Sequence, residues 1–318
     1  MTLTSVFGSS SFRYVVPYLL FAGCWLIVSL TVAGYGTIDH LRYILQFAGF
    51  LGIVSAGQTL VIVSGGIDLS VGALVTLSAV TVTQTMFAAH LSFFVAICVA
   101  LVVSIVFGIL NGVGVGFIRI PSLIMTLASS TIAKGVALLL TNGSPHEVRD
   151  AAFQTWVVKP GLFMINGILQ SWVIISILVV FLMGATSYGK KLLFLGSSPR
   201  ATVYAGYSPK ALILGVFILA AVFSTITGIL LIGFTGNSYL GMGDTYQLGS
   251  IAAVVMGGTS ILGGSGSYLG TVAGALLLTL ISSVLTLFNV SGGGQTAVQG
   301  GIILALMILY ASATRSHD

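Results

Sequence analysis

The sequence predicts an all-α integral membrane protein of about ten transmembrane helices with glycine-rich breaks, and three observations predict it. Only 5% of the 318 residues are charged, against roughly 25% in a soluble domain, while 57% are hydrophobic and the mean hydropathy is +1.13. Apolar runs long enough to cross hydrocarbon, about 20 helical residues each, follow one another along the chain. Glycine supplies 41 residues, a content suited to closely packed membrane helices.

The expected segments run in order. Val15–Gly34 is read as a retained helix, because no small-residue cleavage site follows a short apolar core. Tyr43–Ser64 ends at the pair Gly65–Gly66, and Leu69–Ala89 begins just beyond Asp68. Phe93–Phe117 and Ser122–Leu140 follow, the latter carrying Lys134. Ser171–Ala185 and Ala211–Gly233 come next. Leu248–Leu262 is short and glycine-broken, as in a re-entrant or half helix. Tyr268–Phe288 and Ala297–Ala311 complete the set. A β-barrel would show short alternating segments instead of these continuous runs.

Orientation follows from the cations in the short loops. With the N-terminus in the cytoplasm and ten crossings, Arg13, Arg119, Lys190, Lys191, Arg200, Lys210 and Arg315 lie inside. Arg42, Arg149 and Lys159 lie outside. Seven against three favours both termini being cytoplasmic; nine crossings would move Arg315 outside and weaken the bias.

One membrane domain over residues 1–318 is expected, with two loops longer than turns. The external loop, 141–170, holds Glu147 and Asp150, and its aromatics Phe153, Trp156 and Phe163 are expected to pack on the membrane surface. The internal loop, 186–210, holds four of the eleven basic residues. No G-x-x-x-x-G-K-[ST] loop occurs, so the chain is not expected to bind ATP in that way. Four scattered histidines give no metal-ligand spacing, and no paired carboxylates or nucleophile–base set points to an enzyme. The net charge of +5 comes from scattered cations, which excludes a nucleic-acid patch. Cys24 and Cys98 lie in apolar runs and are expected to be small buried hydrophobes without a disulfide.

The stretch "VSGGIDLSVG" contains the first candidate site. An aspartate at lipid depth must be paired, hydrated or capped, since insertion costs at least roughly 2.5–3.5 kcal/mol. Asp68 as N-cap of the third helix is one reading, with Gly65 and Gly66 ending the second. The other sets Asp68 and Ser70 against a transport route, and the two are compatible. Gln58, on the preceding helix, either cross-links helices or offers a donor and an acceptor to an uncharged polyol. Asn111, Gln46 and Gln84 are open to the same two readings.

Lys134 is expected to face the bundle or a wet cavity. A pair with Asp68 is attractive, but the two differ in depth, one near the inner turn and the other near mid-membrane. A second glycine-rich stretch, Met256–Leu277, reads first as packing, with Gly257, Gly258 and Thr259 as route candidates. "VMGGTSILGG" echoes the first glycine turn, yet both face the same side, so the pair is not an inverted repeat. In the internal loop, Pro199 to Tyr204 is expected to form a short helix with Ser198 as N-cap and Gly206 ending it. That is either an ordinary basic loop or a docking element for a cytoplasmic partner.

Four blocks, in order, resemble the ribose-type sugar permeases of ABC importers. They are "GQTLVIVSGGIDLSVGALVTLSA", "IPSLIMTLASSTIAKGVALLLTNG", "LGSSPRATVYAGYSPK" and "IAAVVMGGTSILGGSGSYLGT". The resemblance implies an inner-membrane, multi-pass permease subunit. It implies a second permease chain, identical or different, a cytoplasmic ABC ATPase that uses ATP and Mg, and an external binding protein that delivers a monosaccharide. No cofactor is then expected on this chain. Ser198, Pro199, Arg200, Ala201 and Gly206 would belong to the coupling helix docked on the ATPase, and the Gly65–Gly72 turn would lie near the route. Relatives carrying nucleosides, sugar-like signals or branched-chain amino acids are the alternatives, with a secondary transporter further off. The chain departs from the pattern at Ser122–Leu123, at Lys134 where Arg is common, at Ser198 and Ala201–Thr202, and at Gln247 and Gly249, where an acidic pair is frequent.

Overall fold

The computed structural model describes residues 10–144, 146–148, 150–161 and 165–315. Arg149 and Phe163 lie outside the described residues. Thirteen helices are present among the described residues. They are α1 Ser10–Thr31, α2 Ile38–Val63, α3 Val71–Ala88, α4 Phe93–Gly116, α5 Ser122–Thr141, α6 Ala151–Val158 and α7 Gly167–Ala185. Then come α8 Ser187–Ser197, α9 Pro199–Tyr204, α10 Pro209–Thr235, α11 Asp244–Met256, α12 Tyr268–Leu287 and α13 Gly292–Arg315. Two-residue strands β1 (His146–Glu147) and β2 (Asn237–Ser238) pair antiparallel, His146 opposite Ser238.

Seven of these helices are long and apolar enough to span a membrane: α2, α3, α4, α5, α7, α10 and α12. Val15–Thr31 of α1 and Gly292–Ile308 of α13 are shorter apolar helices. The protein is therefore a multi-pass membrane protein. α2 is buried all round, as are most of α3 and α10, so these three form the centre. In α4, α5 and α7 only about a third of the residues of the apolar span are buried, and Phe94, Val102, Ile124, Leu139, Ile174 and Phe181 are exposed as a lipid-facing girdle. Cys24 and Cys98 are free but exposed on this outer surface, contrary to the expectation of burial.

The two ends of the bundle differ in charge. One carries the turns at 64–70, 117–121, 186–208 and 257–267, with Arg119, Lys190, Lys191, Arg200 and Lys210; we call it the basic end. At the other end α6 packs Phe153 against Phe93 and Gly233, and Trp156 covers Gly167. The loop aromatics thus seat on helix ends, where the sequence reading had placed them on the membrane surface.

α10 packs by close backbone approach. A Cβ on Gly57 of α2 would come 2.6 Å from Ala220 Cα, and one on Gly112 of α4 would come 2.8 Å from Leu214 Cα. Gly228 of α10 sits on Val75 O and Ser78 of α3 in the same way. The hydroxyls on these helices bond to their own backbones: Thr81 Oγ1 donates to Leu77 O (2.7 Å), Ser224 to Ala220 O (2.8 Å) and Thr225 to Ala221 O (2.9 Å).

A buried chain of hydrogen bonds ties α2, α7 and α12. Trp172 Nε1–H donates to Tyr268 Oη at 3.2 Å, and Tyr268 Oη–H donates to Gly52 O at 2.9 Å. Tyr268→Phe orphans the indole N–H and cuts the tie to α2, while Gly52 O keeps its bond within the helix. An unmet buried donor costs about 1–3 kcal/mol, so a fall in melting temperature of the purified protein is expected. An unchanged melting curve would show that the indole re-pairs without the phenol.

Several helices start earlier than expected, α1 at Ser10, α2 at Ile38 and α7 at Gly167, and three further differences bear on the site. The internal loop contains a helix ahead of the short one, α8, which starts on Thr186 Oγ1 accepting from Gly189 N–H. The eighth segment is α11, 13 residues or about 20 Å long, and it begins at Asp244, not Leu248. The reading began at the first apolar residue and passed over the polar opening turn, Asp-Thr-Tyr-Gln. The same bias placed the last helix at Ala297, although it starts at Gly292.

Candidate functional site

Two groups of residues stand out, a junction of turns at the basic end and a polar chamber in the opposite half. The junction begins with the turn between α2 and α3. Gly65 carries φ +90°, a left-handed conformation that side chains resist, and it lets the chain reverse. Asp68 is buried, and its Oδ1 accepts from Ser70 N–H (2.7 Å) and Ser70 Oγ–H (2.5 Å). Asn111 Nδ2 of α4 donates to the same Ser70 Oγ at 3.0 Å. Ile67 N–H donates to Ser122 Oγ and Leu69 N–H to Thr126 Oγ1, on the first two turns of α5. Ser122, one of the departures from the sugar-permease pattern, thus holds the turn.

Asp68 is not the N-cap itself. Ser70 occupies that position, and Asp68 closes a turn onto the cap residue two positions along. The carboxylate still serves helix entry, one step further out than the capping reading placed it. The turn lies between the spans, and burial pushes the Asp68 carboxyl up to about 6, with both Ser70 bonds opposing that rise.

Two further turns meet this one. Gly264 N–H donates to Val63 O at 3.0 Å, and a Cβ on Gly263 would come 2.8 Å from Gly65 Cα. Gly196, at the end of α8, lies against both Val63 O and Gly264 N, and Ser197 Oγ–H reaches Gly264 O at 3.4 Å. Directly after this contact comes α9. Ser198 Oγ accepts from Ala201 N–H (3.2 Å), Pro199 is its first residue, and Gly206 reverses the chain at φ +79°. The exposed Tyr204 and the basic Arg200 project from it.

The remaining candidates are scattered. Gln58 is fully buried on α2, with neither amide atom hydrogen-bonded among the described residues. Gly257, Gly258 and Thr259 form the turn that ends α11, and Thr259 is buried. Lys134 is half-exposed on α5, and its Nζ is 2.7 Å from Asp244 Oδ1. The attractive Asp68–Lys134 pair is absent: Asp68 bonds to Ser70, and Lys134 has another partner.

The chamber is a half-open cleft of about 330 Å³ between α2, α10, α11, α12 and α13, with a mostly apolar surface and polar groups set into it. Gln295, Gln299, Thr245, Thr279, Ser282 and Ser283 supply amides and hydroxyls, and Tyr43, Phe47, Phe234 and Tyr246 supply rings. Its described lining contains no charged side chain. α11 starts at its edge, inside the bundle, because the chain after β2 dips inward until Gly243 N–H donates to Thr76 Oγ1 at 3.0 Å. Of the residues singled out from sequence, Gly249, where an acidic residue is frequent in the sugar-permease pattern, lines this chamber, and the candidate route residues do not. The spacing of Gln295 and Gln299, one helical turn apart, was a usable signal, lost by starting the last helix after the first of them. No group of metal-ligating side chains occurs among the described residues.

Membrane-length helices, a half-helix that starts within the bundle, and an uncharged cleft carrying amides and hydroxyls at its head fit the class of membrane permeases. Residues 41–311 match the family described as branched-chain amino acid transport system / permease component, and the chain belongs to that family. It is 31% identical over 294 residues to the ribose import permease protein RbsC of Escherichia coli (strain K12), covering 89% of each chain. The Haemophilus influenzae protein of the same name is 28% identical over 285 residues, 89% of this chain and 88% of that one. The autoinducer 2 import system permease protein LsrC of Yersinia pseudotuberculosis is 31% identical over 278 residues, 86% of this chain and 78% of that one. Among solved structures, PsaBC from Streptococcus pneumoniae in complex with Fab aligns at a TM-score of 0.48 and 16% identity, over 86% of this chain and 92% of that one. The family is a transport component and not a catalytic one.

Proposed function

We propose that the chain is the membrane subunit of an ATP-driven importer that passes a monosaccharide or a sugar-like solute across the cytoplasmic membrane. The chamber is the observation that carries this. Its volume suits a small solute, and amides beside hydroxyls and rings suit a neutral polyol that needs both donors and acceptors. A zwitterionic amino acid would leave its charged ends without counter-charge there. The import permeases for ribose and autoinducer 2 to which the chain is similar support the same reading.

In this reading all ten expected segments lie in the membrane, both termini are cytoplasmic and the basic end faces inward. The chamber is then on the outer side, where a binding protein delivers the solute. A cytoplasmic ATPase docks on α9, and a second permease chain, identical or different, completes the route. ATP and Mg belong to the ATPase. This chain supplies differential contacts in its inward and outward states, not chemistry.

Reconstitution with an ATPase, a binding protein and D-ribose as probe tests the assignment. ATP-dependent uptake is the expected result. Uptake driven by an ion gradient, with this chain alone, would instead make it a secondary transporter. Arg200→Glu and Gly206→Pro are expected to insert normally and to abolish ATP-coupled uptake. Normal uptake in both would remove the docking role from α9.

A further inference from the structure

Lys134 is the thirteenth residue of α5, about 18 Å along a helix of about 30 Å, and thus deep in a membrane of about 30 Å. Its partner Asp244 opens α11, where the helix dipole favours a carboxylate. Both side chains keep about half of their surface open, 45% and 52%. A charged pair this exposed does not face hydrocarbon. Water covers it at little cost, whereas dry protein cover would exact the desolvation of both ions. The segment around Asp244 borders the chamber: Tyr239, Met242, Thr245 and Tyr246 line it. α5 packs on α3 and α4, while α11 packs chiefly on α12, α2 and α13, and the two share α3 as a neighbour, so the pair bridges two helices on either side of α3.

We propose that the Lys134–Asp244 pair lies on the water-filled wall of the translocation route and latches the head of half-helix α11 to α5. Lys134 is a positioning residue in this role: it holds the chamber-bordering end of α11 in the conformation seen here, and the latch opens when α5 and α11 separate during the cycle. The proposal rests on the permease reading, but part of its test does not depend on the solute.

Two experiments decide it. In a background with Cys24→Ala and Cys98→Ser, Lys134→Cys is expected to react with a membrane-impermeant thiosulfonate, and Leu139→Cys, on the lipid-facing girdle, is expected to stay inert. An inert Lys134→Cys would mean that lipid or a second chain covers the site, and would overturn the wet wall. In the uptake assay with D-ribose, Lys134→Glu and Asp244→Lys are each expected to lower the rate roughly tenfold, and the double swap to recover at least about half of it. Equal loss in singles and swap, at normal membrane yield, would overturn the latch. Labelling of Lys134→Cys in a protein that takes up no sugar would leave the wet wall standing and remove only the solute assignment.

Discussion

Gly196→Ala is expected to abolish ATP-dependent uptake and to lower the yield of folded protein in the membrane. A methyl at this position overlaps Val63 O and Gly264 N, the two atoms that bond the first glycine turn to the second. Neither atom is the loose end of a side chain; both are backbone, held by α2 and by the Gly263–Gly264 turn. Overpacking usually costs about 1–3 kcal/mol where side chains can yield, and backbone at this spot yields less. The alternative to lost folding is a parted junction, in which the end of α8, just ahead of α9, no longer touches the turn that ends α2. Gly184→Ala is the control, because a Cβ there meets nothing within 4 Å. Wild-type uptake and melting temperature in Gly196→Ala would mean that the three turns are not in contact in the membrane.

Asp68→Ala and Asp68→Asn are expected to part company. Alanine strips an acceptor from both Ser70 N–H and Ser70 Oγ–H, each bond to a charged group being worth about 1.5–3 kcal/mol. Loss of insertion follows. Asparagine keeps Oδ1 and replaces only Oδ2, a buried atom with no hydrogen-bond partner among the described residues. It is expected to insert and to keep at least about half of wild-type uptake, because both Ser70 bonds survive. The pH dependence has a definite sign. Burial raises the folded carboxyl to about 6, above its ordinary value, so its contribution to stability is greatest in acid and is lost as pH rises through 6. Asp68→Asn should flatten that fall, read as melting temperature on either side of pH 6. An Asp68→Asn protein that inserts fully yet carries no solute would show that the charge itself serves the cycle.

Much of the helical plan was legible because it rests on local signals. Ser198, Pro199 and Gly206 mark the start and end of a helix by capping and turn chemistry alone, and α9 occupies those bounds. Long apolar runs likewise declare the spans. What was not legible rests on residues that local polarity disguises. Asp244 opens with three polar neighbours and reads as loop, so Lys134 looked like a cation without a nearby anion. Gln295 follows three glycines and falls outside the expected last helix, so its pairing with Gln299 one turn on is hidden. Gly196 looks like any glycine in a basic loop; its meaning comes from Val63 and Gly264, distant in sequence. Asp68 shows the limit in the other direction, where the residue was found and its partner was misplaced by two positions.

The close packing around α10 has a mechanical consequence. Many of its contacts with α2, α3 and α4 are glycine against a neighbouring helix, with the Phe234 ring on Phe47 and Phe50 at one end, and the hydroxyls along it are spent on their own helix. Among the described residues, no side-chain hydrogen bond crosses from α10 to those three neighbours. A displacement of α10 along them would therefore break no polar side-chain bond, whereas parting the junction at the basic end would break a backbone one.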